Sequence, residues 1–361
     1  MKRLLTSAAM FLCSLMTFAQ SSFTGSGSGT ENDPYLILNP IQLNQMRNYL
    51  NINGVYFKLM ANIDLEEFIE DEYPQSGWMP VGNSSSKFKG TFDGNGNIIS
   101  GLTINRENTD FVGLFGDTDR ATIKNLTIKA KVKGRNNVGI IAGNAQYTTI
   151  SNCFVEGNVV GATGVGGIVG YATNGTISDC YSTANISGTG DYIGGISGRD
   201  GSVINCVANN ITVSGHDYIG GVIGFGAVIN SVFEGVVKGN SIVGGLSGLG
   251  CASFSCAIGD VIATGDQIGG LIGCYLSIND LNKNIINNYF SGTVSGNNQV
   301  GGLVGYYKSD RKDSYIYYNY ASASIIGHMQ VGGLCGFIEG YFYTNALGGG
   351  RYDTTIFYAD L

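Results

Sequence analysis

Val165-Gly166-Gly167-Ile168-Val169-Gly170 is one copy of a stretch that recurs down the chain. The others are Ile193-Gly194-Gly195-Ile196-Ser197-Gly198, Ile219-Gly220-Gly221-Val222-Ile223-Gly224, Val243-Gly244-Gly245-Leu246-Ser247-Gly248, Ile268-Gly269-Gly270-Leu271-Ile272-Gly273, Val300-Gly301-Gly302-Leu303-Val304-Gly305 and Val331-Gly332-Gly333-Leu334-Cys335-Gly336. Val138 to Gly143 is a looser copy with Ile140 in place of the second glycine, and Phe111 to Gly116 is shorter still. From Gly113 to Gly332 the first glycines are spaced 26, 27, 28, 26, 24, 25, 32 and 31 residues apart. Self-similarity at this period marks a solenoid, in which each unit stacks on its neighbours to bury a continuous core.

Each period holds three short β-favouring pieces. In the repeat ending at Gly198 they are Thr176 to Ser182, Ala184 to Ser187 and Tyr192 to Ser197, with Gly188-Thr189-Gly190-Asp191 as a turn. Ile193 and Ile196 are out of step with strict alternation, so both face inward only if the chain bends between them, which the paired glycines permit. The expected fold is all-β, a right-handed parallel β-helix of about ten rungs and roughly 50 Å in length at ~4.8 Å per rung.

The composition agrees with a packed solenoid. Of 361 residues, 57 are Gly and only 4 are Pro, 43% are hydrophobic and 13% charged. Apolar material is ample for a core, and few backbone donors are lost to proline. Met1-Lys2-Arg3 followed by the apolar run Leu4 to Phe18 and by Ala19 reads as a secretory signal peptide, with cleavage expected after Ala19. Loss of Lys2 and Arg3 takes the formal charge from −7 to −9. That acidity argues against nucleic acid as a partner, and no later run is long enough for a transmembrane helix. The expected location is secreted or cell-surface.

The expected organisation is a signal peptide over 1–19, a Gly/Ser-rich flexible leader over 20–33, an N-terminal capping region over 34–86 and the solenoid over 87–361. In the cap, Asn39 and Pro40 start a helix whose inner face carries Ile41, Leu43, Met46 and Leu50, and Gly54 ends it. The acidic stretch Asp64, Glu66, Glu67, Glu70, Asp71 and Glu72 reads as a solvated loop or a calcium loop, and Trp78 as packing. Eight cysteines less Cys13 leave an odd count in an exported chain. Cys153, Cys180 and Cys206 share one repeat slot, which Ser231, Tyr289 and Tyr320 are expected to hold in other rungs. A vertical disulfide and a ladder of buried free thiols are the two readings of that column.

The repeat resembles the GLUG motif of bacterial secreted and surface proteins. The lead-in is similar too, in Gly29 to Ile37, Tyr56-Phe57-Lys58-Leu59, Trp78-Met79-Pro80-Val81-Gly82 and Gly90 to Gly96. Such repeats also occur in M26-type immunoglobulin A1 peptidases, and the style is similar to exports of Bacteroidetes. The resemblance implies the non-catalytic repeat region of such proteins. A zinc peptidase of that kind requires H-E-x-x-H, whereas the two histidines, His216 and His328, are followed by Asp217 and Met329. No catalytic residue, metal site or cofactor is expected.

Two functional readings remain. Asp191, Asp217 and Asp266 precede successive motif copies, as a polysaccharide-active β-helix enzyme would need for paired carboxylates, or as a plain polar turn ladder. Against this, the long repeats place extra residues after the motif, at Cys274 to Lys283, Tyr306 to Ser314 and Phe337 to Tyr352. Insertions at one corner of adjacent rungs build a common face. Tyr275, Tyr306, Tyr307, Asp310, Tyr315, Tyr317 and Tyr341 are its candidate ligand-binding residues, suited to a glycan or a host protein. The first reading is thus an adhesin-like binding or scaffold protein without catalytic activity. The chain's end shows no polar cap, so end-to-end association through the last rung is also expected.

Overall fold

The computed structural model describes residues 23–277, 284–310 and 315–340. Every named strand pairing in it is parallel, and each strand pairs with its copy one repeat later, so the chain forms a parallel β-solenoid. The motif starts form a small sheet of eight strands, from Asn136–Val138 to Met329–Gly332. Val112 extends this ladder by an isolated bridge to Val138, which gives about nine turns rather than ten.

The motif is a corner. Ile193–Gly194 belongs to the small sheet, while Ser197–Ile204 belongs to the large one. Ile193 and Ile196 on either side of the bend are both fully buried. Neither glycine of the pair reaches this bend through positive φ. They are needed instead for close approach: a Cβ on Gly167 would lie 2.2 Å from the Gly195 carbonyl oxygen of the next rung. Backbone passes where a side chain would stand, which is the use of glycine in a stacked corner.

Positive φ falls on other residues. Asn125, Asn152, Asp179, Asn205 and Asn230 share the left-handed region, with φ between 46° and 56°. Asn and Asp tolerate that conformation best among side-chain-bearing residues. Their side chains also link rungs: Asn152 Nδ2 donates to Asn125 Oδ1 at 2.8 Å, and Asn230 Nδ2 donates to Asn205 Oδ1 at 2.8 Å. This second corner divides the piece expected as one strand, Thr176 to Ser182, into Thr176–Ser178 and Tyr181–Ser182.

Directly after this corner stand the cysteines. Cys153, Cys180 and Cys206 are buried and free, and each thiol donates to a carbonyl two residues back, as Cys206 does to Ile204 at 3.2 Å. The slot continues as Ser231, Ser255, Asn288 and Asn319, through contacts such as Cys206 N donating to Ser231 Oγ. Tyr289 and Tyr320 are one position further on, in an outer column where Cys256 pairs with Tyr289 and Tyr289 with Tyr320, so their expected place in the thiol ladder is corrected. Asn288 and Asn319 preserve the inner slot because their amides reach backbone carbonyls, Ala252 and Ile285.

At the N-terminal end α1 (Pro40–Gln45) is capped by Asn39, whose Oδ1 accepts from Gln42 N at 3.0 Å. It tightens at once into a 3-10 turn, Met46–Tyr49. The inner face is therefore spaced by threes, Leu43, Met46 and Tyr49, and Ile41 is exposed instead of buried. The acidic stretch is a second helix, α2 (Glu66–Glu72), not a loop. Glu66 and Glu67 in its first turn complement the helix dipole, and Ile69 anchors it to the core. Trp78 is fully buried, and its Nε1 donates to the Leu114 carbonyl.

Candidate functional site

The residue after the last glycine of each motif copy points out of the solenoid along one column. Register pairs Tyr171 with Arg199, Arg199 with Phe225, Phe225 with Leu249, Leu249 with Cys274, Cys274 with Tyr306 and Tyr306 with Phe337. Beside it runs the residue before each motif copy, held at positive φ: Tyr192 at 64°, Tyr218 at 59° and Ile242 at 58°. A bulky or β-branched residue in that region is a genuine outlier. Here it turns the ring across the corner toward the column.

The two rows meet in a cluster. Tyr192 and Tyr218 stack with centroids 4.7 Å apart, and Tyr192 lies 6.4 Å from Phe225. The Arg199 guanidinium carbon is 4.1 Å from the Tyr171 ring centroid and 5.4 Å from that of Tyr192. Phe225 is 37% exposed, and Tyr171, Tyr192, Arg199 and Tyr218 are half-buried. Burial, followed by the neighbouring Tyr192, holds the Tyr218 phenol above its usual range. The result is a strip of stacked rings with an arginine among them, open to solvent on one side.

A second outer column runs along another face, with Phe154 and Tyr181 stacked at 5.3 Å and Tyr289 and Tyr320 at 5.6 Å. A shallow depression of about 250 Å³ lies beside Phe154 and Tyr181, floored by Leu126 and Cys153 and edged by Asn125, Asn152 and Asp179.

The tyrosines expected at the C-terminal end separate. Residues 272–277 and 304–309 are paired strand, so Tyr275, Tyr306 and Tyr307 lie on a sheet and not on inserted loops. Tyr275 and Tyr307 point inward, buried and stacked at 4.8 Å and 5°, and their rings present no face to a ligand. Tyr306 points outward on the column described above and stacks on Phe337 at 5.7 Å. Its hydroxyl bonds the Glu339 carboxylate, which Lys308 Nζ also reaches at 2.7 Å. Those contacts and burial, the largest cause, raise the Tyr306 phenol. Asp310 is exposed, and Tyr317 is half-buried with its ring 5.0 Å from Tyr318. The side chain of Tyr315 and the whole of Tyr341 lie outside the described residues.

The aspartate column braces turns. Asp191 Oδ1 accepts from Asp217 N, Asp217 Oδ1 from Ser241 N at 2.9 Å, and Asp266 Oδ1 from Asn298 N at 3.1 Å. Each carboxylate thus takes up a backbone donor of the following rung. His216 Nδ1 sits 3.5 Å from Asp191 Oδ1 and 3.3 Å from Asp217 Oδ2. Among the described residues these three are the one group whose ligand atoms come within 4.8 Å of one another.

A stack of Gly-Gly corners carrying outward aromatic columns defines a parallel β-solenoid repeat protein. The sequence profile of the GLUG motif matches residues 161–187, which include the copy from Val165 to Gly170. A solved structure from Bacteroides ovatus, described as a "putative immunoglobulin A1 protease", is similar at 27% identity and a TM-score of 0.54, over 64% of this chain and 77% of that one. Among curated proteins, a "Putative Gly-rich membrane protein" of Evansella cellulosilytica is 34% identical over 40% of this chain. "Halomucin" of Haloquadratum walsbyi is 36% identical over 33% of it. The chain spans 18% of the first relative's length and 1% of the second's. Among the described residues no helix is long and apolar enough to cross a membrane.

Proposed function

We propose that the protein is a secreted or cell-surface β-solenoid that binds glycan without catalysing its turnover. The observation that carries this reading is the exposed strip of Tyr171, Tyr192, Arg199, Tyr218 and Phe225. Flat rings fixed by stacking offer large apolar contact at little entropic cost, and tyrosine adds a polar edge. Tyr306 and Phe337 continue the same column, so one face provides several platforms for an extended polymer. Export is supported by the amino-terminal signal pattern and by relatives that bear the names "Putative Gly-rich membrane protein" and "Halomucin". The absence of H-E-x-x-H from the sequence and the structural use of Asp191, Asp217 and Asp266 favour binding over hydrolysis.

The test is a glycan array probed with the purified protein and with a Tyr192→Ala/Tyr218→Ala/Phe225→Ala variant of unchanged circular dichroism. Binding by the parent that falls at least tenfold in the variant supports the reading. Turnover of a bound polysaccharide, or binding untouched by the triple change, overturns it.

A further inference from the structure

Resting on that glycan-binding reading, we infer that the strip selects acidic sugars, and that Arg199 is the receptor for their carboxylate or sulfate group. The other arginines among the described residues all have hydrogen-bond acceptors. Arg47 and Arg106 donate to backbone carbonyls, Met79 for the first and Trp78 and Gly77 for the second. Arg120 donates to Asp119 and Arg135 grips Asp110 with two bonds. Arg199 is the remaining arginine among the described residues. No acceptor meets its guanidinium there, and its Nε is buried without a hydrogen-bond partner.

An arginine left this way on an acidic protein calls for a physical reason. Carboxylates are nearby in the fold but committed elsewhere. Asp191 and Asp217 turn to the backbone N–H groups of the following rungs and to His216. Asp200, next in sequence, accepts nothing from it. What holds Arg199 is aromatic: Tyr171 lies 4.1 Å away and Tyr192 5.4 Å. Stacking on ring faces fixes the guanidinium plane and leaves its N–H edge free. That edge is a rigid fork suited to two parallel bonds to a carboxylate or sulfate. Phe225, paired with Arg199 one rung on, and Tyr218, stacked on Tyr192, supply ring faces beside it. One acidic pyranose could therefore stack and pair at once. A neutral sugar would stack on the same rings and displace water from the open N–H edge without replacing its bonds, and unmet hydrogen-bonding groups are a strong source of discrimination in a site.

Calorimetry of the purified protein with oligogalacturonate and with its fully methyl-esterified form isolates the charge, because both keep the same rings. Chondroitin sulfate and its desulfated, methyl-esterified form make a second acidic and neutral pair, and desulfated chondroitin with its carboxylates intact separates sulfate from carboxylate recognition. The acidic member of at least one pair is expected to bind about tenfold tighter, the size of one charge-assisted fork. Arg199→Gln should abolish that ratio, and Arg199→Lys should restore it only in part, because lysine keeps the charge and loses the fork. If Arg199→Gln does not fold, the comparison within each pair on the parent protein decides acid selectivity and Arg199→Lys assigns it to this residue. Equal binding of acidic and neutral members overturns the inference and leaves glycan binding standing. No binding of these sugars or of any neutral glycan on the array overturns the inference and the glycan reading together.

Discussion

The Arg199 guanidinium lies 4.1 Å above the Tyr171 ring, and the two residues are register partners on neighbouring rungs. Their contact should stabilise the solenoid as well as shape its surface. A half-exposed cation–π pair contributes about 0.5–1 kcal/mol. A double-mutant cycle with Tyr171→Leu and Arg199→Gln, followed by urea denaturation, is expected to return a coupling energy of that size. A coupling near zero would mean that the ring and the guanidinium lie together without attraction.

The motif glycines make a sharper prediction. A Cβ at Gly167 would stand 2.2 Å from the Gly195 oxygen and 2.6 Å from Ser182 Oγ. A Cβ at Gly221 would meet the Gly245 oxygen at 2.2 Å and also the Phe233 ring at 2.4 Å. Gly167→Ala should therefore cost about 1–3 kcal/mol, in the range of overpacked cores, and Gly221→Ala should cost more. Ile140 fills the equivalent place in its own copy, so such a corner can adjust. A Gly221→Ala protein as stable as the parent in chemical denaturation would refute the close-approach account.

Much of this architecture is legible in sequence because it repeats. The period fixed the solenoid, the misfit between Ile193 and Ile196 located the bend, and Asn39-Pro40 marked a helix start. Other features fell outside the signals used. The Asn-Cys and Asp-Cys dipeptides were visible as a column, but their role as left-handed corners was not, because a lone Asn signals many kinds of turn. The slot shift at Tyr289 arose because Asn288 satisfies its amide inside, which periodicity of apolar residues does not register. Sequence reasoning sought the ligand face in inserted segments and their tyrosines. The position just after each motif did not stand out as a row: Tyr171, Arg199, Phe225, Leu249, Cys274, Tyr306 and Phe337 follow the last glycine in successive copies, and of these Tyr306 alone was among the candidates. Aligning the copies and comparing the residues flanking them would have found that strip. Tyr306 and Tyr307 show the limit of composition alone: adjacent tyrosines on a strand face opposite ways, one to solvent and one to the core.

The buried thiols carry a pH signature. Burial pushes Cys251 and Cys274 up to about 12 from an ordinary 9.0. The folded state thus holds these protons more tightly than the unfolded chain does. Their contribution is fully present below pH 9 and is lost as pH rises from 9 toward 12. Within that window each such thiol should cost about 1.4 kcal/mol per pH unit. Denaturation midpoints measured between pH 8 and 11 should fall more steeply for the parent than for a Cys251→Ala/Cys274→Ala variant. The same thiols should resist iodoacetamide at pH 8.5 until denaturant is added. Parallel pH profiles for the two proteins would show that these thiols do not titrate as buried groups.

The asparagine corners can be separated into conformation and ladder. Asn205 sits at φ 54°, donates through Nδ2 to Asp179 Oδ1 at 3.0 Å, and accepts from Asn230 Nδ2 at 2.8 Å. Asn205→Gly keeps the left-handed backbone at no steric cost and loses both side-chain bonds, a loss of about 0.5–1.5 kcal/mol for each exposed bond at most. Asn205→Val loses the same bonds and adds roughly 1–2 kcal/mol for a branched residue in the left-handed region. The valine variant should therefore unfold at lower urea than the glycine variant, and the gap between them reports the backbone strain less the extra unfolded-state entropy of glycine. If the two variants unfold together, the ladder rather than the backbone conformation is what selects asparagine at this corner.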